Sequence, residues 1–159
     1  MPVSRLIEDE LDAVTDAVLL SSRALVAVAS RSIAAVDEAV TLPQFRALVV
    51  LDRAEVGLNV GELAHELRIQ PSTATRLCDR LVRGRLALRR VNPDNRREVT
   101  ILLTPAGREL VAEVTRRRRR EIASIMVKVP ASQRTAIVEA LTAFRIAAGE
   151  RQLGPSVPW

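Results

Sequence analysis

From Gln70 to Arg80 the chain reads "QPSTATRLCDR", which sets Ser72, Thr73, Thr75, Arg76 and Arg80 between small and apolar residues at helical spacing. Hydroxyls and forked guanidinium groups along one face of a helix are donors suited to phosphate oxygens and base edges. A second basic pair, Arg96 and Arg97 behind Asn95, sits in the turn-forming segment "NPDNRRE". Guanidinium groups carried at a loop tip suit a minor groove, where negative potential is concentrated and width is read more than sequence.

The elements that must hold these groups follow from apolar periodicity. Val60, Leu63, Ala64 and Leu67 fall at i, i+3, i+4 and i+7, and Ala74, Leu77, Cys78 and Leu81 repeat the spacing. Each segment is therefore a helix with one buried face. Only Arg68, Ile69 and Gln70 separate them, too few residues for a strand crossover. Pro71 is preset for a first helical turn and cannot extend the preceding helix, so the two helices meet steeply, as in a helix-turn-helix. Asn59 with Glu62 forms a capping box, and Gly84 stands where the second helix needs a left-handed C-terminal residue. With its apolar face turned inward, the second helix presents Ser72, Thr73, Thr75, Arg76, Asp79, Arg80 and Arg83 outward, and its first turn offers free backbone amides. Arg76 and Arg80 have phosphate, a guanine edge or Asp79 as candidate partners, and for Arg80 we favour phosphate.

After Gly84, "LALRRV" alternates weakly, "NPDNRRE" supplies turn chemistry and "VTILLTP" returns as a β-branched run. A basic-tipped hairpin thus follows the helix pair, and the whole predicts a winged helix-turn-helix.

The run "TLPQFRALVVL", followed by "NVGELAHELRIQPSTATRLCDRLVRGRLALRRVNPDNRREVTILLTPAGREL", resembles the MarR family of bacterial transcriptional regulators almost segment for segment. The resemblance covers residues 8 to 149 as architecture and Leu42 to Leu110 as motif. It implies a mainly α fold with a small β-wing, six helices, and a homodimer formed by the N- and C-terminal helices. It further implies a sequence-specific DNA-binding regulator on a pseudo-palindromic operator, a repressor relieved by a small anionic or phenolic effector bound where the dimer helices meet the winged motif. Gln70, Pro71, Ser72, Thr73, Thr75 and Arg76 then enter a major groove, with Arg80 beside them. Asn95, Arg96 and Arg97 approach the flanking minor groove, and half-sites lie about one helical turn apart. The family usually has Asp immediately before the wing's basic pair. Here it is Asn95, which removes an acidic partner for a wing arginine.

Composition narrows the remaining classes. The chain has 159 residues, one domain's worth, and is 48% hydrophobic with only 2% aromatic, so its core is Leu, Val, Ala and Ile packed as helices. Net charge is +5 with Lys128 as the sole lysine, so the positive charge is arginine, concentrated from Arg76 to Arg97 and from Arg116 to Arg120. The second run points around a whole helix circumference, so solvated charge, or charge paired with Glu113, Glu121 or a partner chain, is its favoured reading, with a phosphate or a ligand carboxylate as the alternative for some of its members.

Cys78, the single cysteine, excludes an intrachain disulfide. Its apolar-face position makes it a small core residue rather than a redox switch. His65, the single histidine, points away from the apolar set, so a metal site would need carboxylates alone or a partner subunit. No Cys-His or Ser-His pairing, Gly-rich phosphate loop or zinc spacing is visible, so neither an enzyme nor a cofactor is expected. No cleavable signal is recognised at the N-terminus, and Arg23 and Arg31 interrupt the apolar stretch from Ala17 to Val36, so a cytoplasmic protein without a membrane span is expected.

One domain is expected. Residues 1–40 form a dimerisation helix, with the long helix running from Leu6 to about Val36. Residues 41–104 form the DNA-binding region, opened by a short helix capped by Thr41 and Gln44 with Phe45, Leu48 and Val49 inward. Residues 105–149 form the C-terminal dimerisation helices. The first starts at Thr104 and Pro105 and runs to Pro130, roughly 25 residues or about 37 Å, and the second carries Ile137, Val138, Leu141 and Phe144 near one face. Residues 150–159 form a loose tail. A protein-docking winged helix that binds no specific DNA is the rival reading, because fold does not dictate function.

Overall fold

The computed structural model describes residues 3–54, 56–91 and 99–149. Among them lie six helices and one hairpin: α1 (Val3–Ala34), α2 (Leu42–Arg53), α3 (Val60–Leu67), α4 (Pro71–Arg83), β1 (Ala87–Val91), β2 (Val99–Leu103), α5 (Pro105–Met126) and α6 (Ala131–Ala147). The fold is mainly α with a small β-wing, as expected. The residues assigned to the wing tip, Asn95, Arg96 and Arg97, and the tail 150–159 lie outside the described residues.

Helix starts follow their caps. The Thr41 hydroxyl accepts from the Gln44 amide while the Gln44 side chain accepts from the Thr41 amide, and Asn59 and Glu62 reciprocate in the same way. Thr104 caps α5, its hydroxyl accepting from the Gly107 amide at 3.0 Å, with Pro105 at the first helical position.

Helix ends differ from expectation. Gly84 is not left-handed: its φ is −74°, and the left-handed residue is Arg85, at φ 58°. Leu86 donates to the Leu81 carbonyl and Arg85 to the Val82 carbonyl, each at 3.0 Å, which is a Schellman closure displaced one residue beyond the glycine. The turn between α3 and α4 closes the same way, with Arg68 at φ 53°, Ile69 donating to Ala64 and Arg68 to His65. Both closures fold an apolar residue, Ile69 or Leu86, back onto the core, and both are partly buried there. That burial outweighs the cost of roughly 1–2 kcal/mol for a left-handed residue bearing a Cβ.

The core sits in the winged half. Phe45, Leu48 and Leu51 of α2, Leu63 and Leu67 of α3, Leu77, Cys78 and Leu81 of α4, Ile101 and Leu103 of β2, and Leu110, Val111 and Val114 of α5 form one cluster. The expected inward faces of α2, α3 and α4 are therefore correct, with Val60 only partly buried. The strands pair antiparallel from Ala87 opposite Leu103 to Val91 opposite Val99. A bridge the sequence did not announce joins Leu58 to Ile101, with bonds of 3.1 and 2.8 Å, and ties the entry of α3 to the wing.

The terminal helices contrast with this core. On α1, burial begins at Val28, while Leu11, Val14, Leu19, Leu20 and Val26 are each more than half exposed; α6 contributes no buried residue. By length and composition alone, Glu8–Ala34 would be apolar enough to cross a membrane. Its C-terminal third instead packs on the winged half, with Val28, Ala29 and Ile33 buried.

Candidate nucleic-acid interface

The second helix of the motif, α4, owes its orientation to four buried residues, Ala74, Leu77, Cys78 and Leu81, which pin one face to the core. The opposite face is left to solvent. Gln70, Pro71, Ser72, Thr73, Thr75, Arg76 and Arg80 are all exposed, as the periodicity predicts. Among the described residues neither Arg76 nor Arg80 makes an ion pair, so both guanidinium groups are available to an external anion.

The first turn of α4 offers fewer amides than expected. Pro71 has no N–H, the Gln70 side chain makes no capping bond, and the amides of Thr73 and Ala74 both donate to the Gln70 carbonyl, at 2.9 and 3.1 Å. The tightened turn leaves Ser72 with the only amide there that lacks an acceptor among the described residues. The hydroxyls also differ. Thr75 donates its hydroxyl proton to the Pro71 carbonyl at 3.0 Å, the usual back-bond of a helical threonine, while those of Ser72 and Thr73 are uncommitted.

Asp79 partners neither Arg76 nor Arg80. It pairs with Arg89 of β1, ten residues on, and its backbone carbonyl accepts from Arg83 at 3.3 Å. No local sequence signal announces the pair, because the turn at Arg85 brings the strand back alongside the helix. Arg89 and Arg90 are both exposed on opposite faces of β1, Arg89 on the side toward α4, and they carry positive charge from α4 into the wing.

Thr104 does more than start α5. Its hydroxyl donates to the Arg85 carbonyl at 2.8 Å, and its amide donates to Leu86 at 3.1 Å, so the N-terminus of α5 is bolted to the turn that ends α4. Gly107 completes the joint: a Cβ there would lie 2.1 Å from the Leu86 carbonyl oxygen.

The arginine run of α5 is largely spent within the helix. Glu113 accepts from Arg116 at 3.0 Å and Arg117 at 2.8 Å, with Arg120 at 3.7 Å, and Arg116 also reaches Glu109 at 2.9 Å. Bonding from Arg116 holds the Glu113 carboxyl below the usual carboxylate range, and bonds to Glu109 first and Glu113 second raise the pKa of the Arg116 guanidinium. Burial lowers the pKa of Arg118. Glu121, expected to pair within the run, instead bonds Arg31 of α1. Beside that pair lies an open cleft of about 420 Å³ lined by Arg31, Ser32, Ala35, Arg117, Arg120 and Glu121. Ser32 is 3% exposed, and its hydroxyl has no partner among the described residues.

Cys78 is fully buried, and burial raises its thiol pKa despite the opposing pull of Arg89. His65 is exposed, and no cluster of potential metal ligands occurs among the described residues.

The arrangement has relatives. Residues 40–99 match the model of the MarR family. A curated relative, the uncharacterised HTH-type transcriptional regulator YsmB of Bacillus subtilis, is 38% identical over 81 residues, half of this chain and 54% of YsmB, so the match spans about half the length of that protein. The crystal structure of RV1404 from Mycobacterium tuberculosis is 46% identical, with 89% of this chain and 96% of that one covered at a TM-score of 0.80. Two more distant structures share the fold. One is a Staphylococcus aureus MepR mutant bound to an oligodeoxyribonucleotide (21% identity, 84% and 96% coverage, TM-score 0.65). The other is CouR of Rhodococcus jostii bound to p-coumaroyl-CoA (18% identity, 89% and 96% coverage, TM-score 0.69). With its helix pair, wing and flanking helices arranged as in these proteins, the chain belongs to the MarR family of transcriptional regulators and carries that family's DNA-binding fold.

Proposed function

We propose that this protein is a cytoplasmic repressor that binds a pseudo-palindromic operator as a homodimer and releases it when a small anionic or phenolic effector binds. Each subunit places Gln70, Pro71, Ser72, Thr73, Thr75 and Arg76 in a major groove with Arg80 on a phosphate. Asn95, Arg96 and Arg97 reach the flanking minor groove. The observation that carries this reading is the exposed polar face of α4, with Arg76 and Arg80 unpaired among the described residues and the opposite face locked in the core. MepR crystallised on DNA supports the same use of the same fold.

Dimerisation is supported by the apolar residues of α1 and α6 that the chain leaves bare, among them Leu11, Val14, Val138, Leu141 and Phe144. Effector binding is supported by the cleft between α1 and α5, where Arg120, with only a 3.7 Å contact to Glu113, stands beside the buried Ser32 hydroxyl and the Arg31–Glu121 pair that an anion would have to open. CouR, whose ligand joins a phenol to an anionic carrier, supports the chemical class. An effector that prefers dimers with misspaced recognition helices weakens operator binding by that preference alone.

The test is fluorescence anisotropy of labelled duplex from upstream of the protein's own gene, against scrambled duplex, over a salt series, with sedimentation giving the stoichiometry. Specific binding of one dimer per site is expected, with log Kd rising linearly against log salt. Arg96→Ala should flatten that slope by about one. Equal, weak binding to both duplexes would favour a protein-docking module.

A further inference from the structure

We infer that Thr75 is a specificity residue that reads an A·T pair in each half-site by setting its methyl group against the C5-methyl of thymine. The inference rests on the DNA-binding reading of α4 and adds the base that this position selects. The hydroxyl proton of Thr75 is committed to the Pro71 carbonyl at 3.0 Å. The side chain is nonetheless exposed on the outer face of α4, one turn beyond Pro71. What it offers to a groove is therefore a methyl group and an acceptor lone pair, with no donor.

A G·C pair presents guanine acceptors and a cytosine amino donor in the major groove but no methyl, so it meets the acceptor lone pair of such a group and leaves the methyl unmatched. Thymine presents a methyl, and its adenine partner presents an amino donor, so the A·T pair complements both features of the side chain. Ser72 and Thr73 do not share this restriction, because their hydroxyls are uncommitted and free to donate to phosphate. The back-bond also fixes the Thr75 rotamer before DNA arrives, so little side-chain entropy remains to be lost on contact.

The test begins by selecting duplexes from a random pool with the full-length protein, then replaces each enriched thymine by deoxyuridine, which removes only the C5-methyl. One thymine per half-site is expected whose replacement weakens binding about fourfold, the worth of one methyl removed from water. Thr75→Ser should bind the unmodified duplex about fourfold more weakly per half-site and be indifferent to deoxyuridine at that thymine. Equal affinity of the two proteins for the deoxyuridine duplex excludes a folding defect as the cause. If no thymine methyl matters, or if Thr75→Ser keeps the full deoxyuridine penalty, the assignment is overturned while specific DNA binding stands. Failure of the wild-type protein to enrich any sequence would overturn both.

Discussion

Asp79 on α4 and Arg89 on β1 form an ion pair at 2.5 Å, so the one acidic residue on the outer face of α4 is neutralised by the strand that leads into the wing. Both side chains are more than 40% exposed, so the pair contributes little to stability, roughly 0–1 kcal/mol. Its effect is expected in the field that the helix presents. Arg89→Ala should leave the melting temperature nearly unchanged yet weaken DNA binding about fivefold to tenfold, because it unmasks a negative charge facing phosphates. Asp79→Asn in the same chain should restore much of that loss, and a double-mutant cycle by anisotropy measures the coupling.

The end of α4 gives a prediction of opposite sign to the one its glycine suggests. With Gly84 at φ −74° and the nearest atom to a new Cβ 3.4 Å away, Gly84→Ala is expected to stabilise the fold by about 0.5–1 kcal/mol through the unfolded state. Arg85→Gly, at φ 58°, should stabilise it by a similar amount, about 0.5–1 kcal/mol, through relief of left-handed strain. Urea denaturation reads both, and a destabilised Gly84→Ala would restore the left-handed assignment to Gly84.

Gly107 is a case of steric necessity. A Cβ placed 2.1 Å from the Leu86 carbonyl oxygen cannot be absorbed by a side-chain rotation, since the obstacle is backbone. Gly107→Ala should cost roughly 3 kcal/mol, at the upper end for forced backbone shifts. Because the displaced joint ends α4 as well as starting α5, DNA affinity should fall with it even at temperatures where the variant is folded. Thr104→Ala, which removes both the cap of α5 and the bond to Arg85, should cost about 1–2 kcal/mol by thermal denaturation.

Cys78 should be inert in the native state. Burial raises its thiol pKa above the unfolded value, so the neutral thiol is favoured by folding. The sign follows: this contribution is fully present below the unfolded thiol pKa and is lost as pH rises through the higher folded value. Alkylation by iodoacetamide should be far slower in buffer than in urea, and stability should begin to fall above about pH 8.5. Fast native alkylation at neutral pH would reopen a redox role.

Much of this protein was legible in its residues because the determining interactions are local. The capping boxes at Thr41 and Asn59, the proline starts at Pro71 and Pro105, and the inward stripes of α3 and α4 depend on positions three or four apart, and the structure has each where spacing puts it. The outward face of α4 followed by subtraction. The pairing of Arg116, Arg117 and Arg120 with Glu113 was likewise a matter of neighbours on one helix.

What only the tertiary structure decided involves partners distant in sequence or a choice among near-equal local options. Arg85 rather than Gly84 turns left-handed because the closure must land Leu86 on the core, a demand set by packing and invisible to glycine preference. Glu121 turns to Arg31, 90 residues away, instead of to its own run because α1 crosses α5 there. Asp79 finds Arg89, Thr104 finds Arg85 and Leu58 finds Ile101 only once the chain has folded back on itself. Periodicity in one dimension fixes which face of a helix is buried, while the identity of what meets that face is settled by the three-dimensional path between elements.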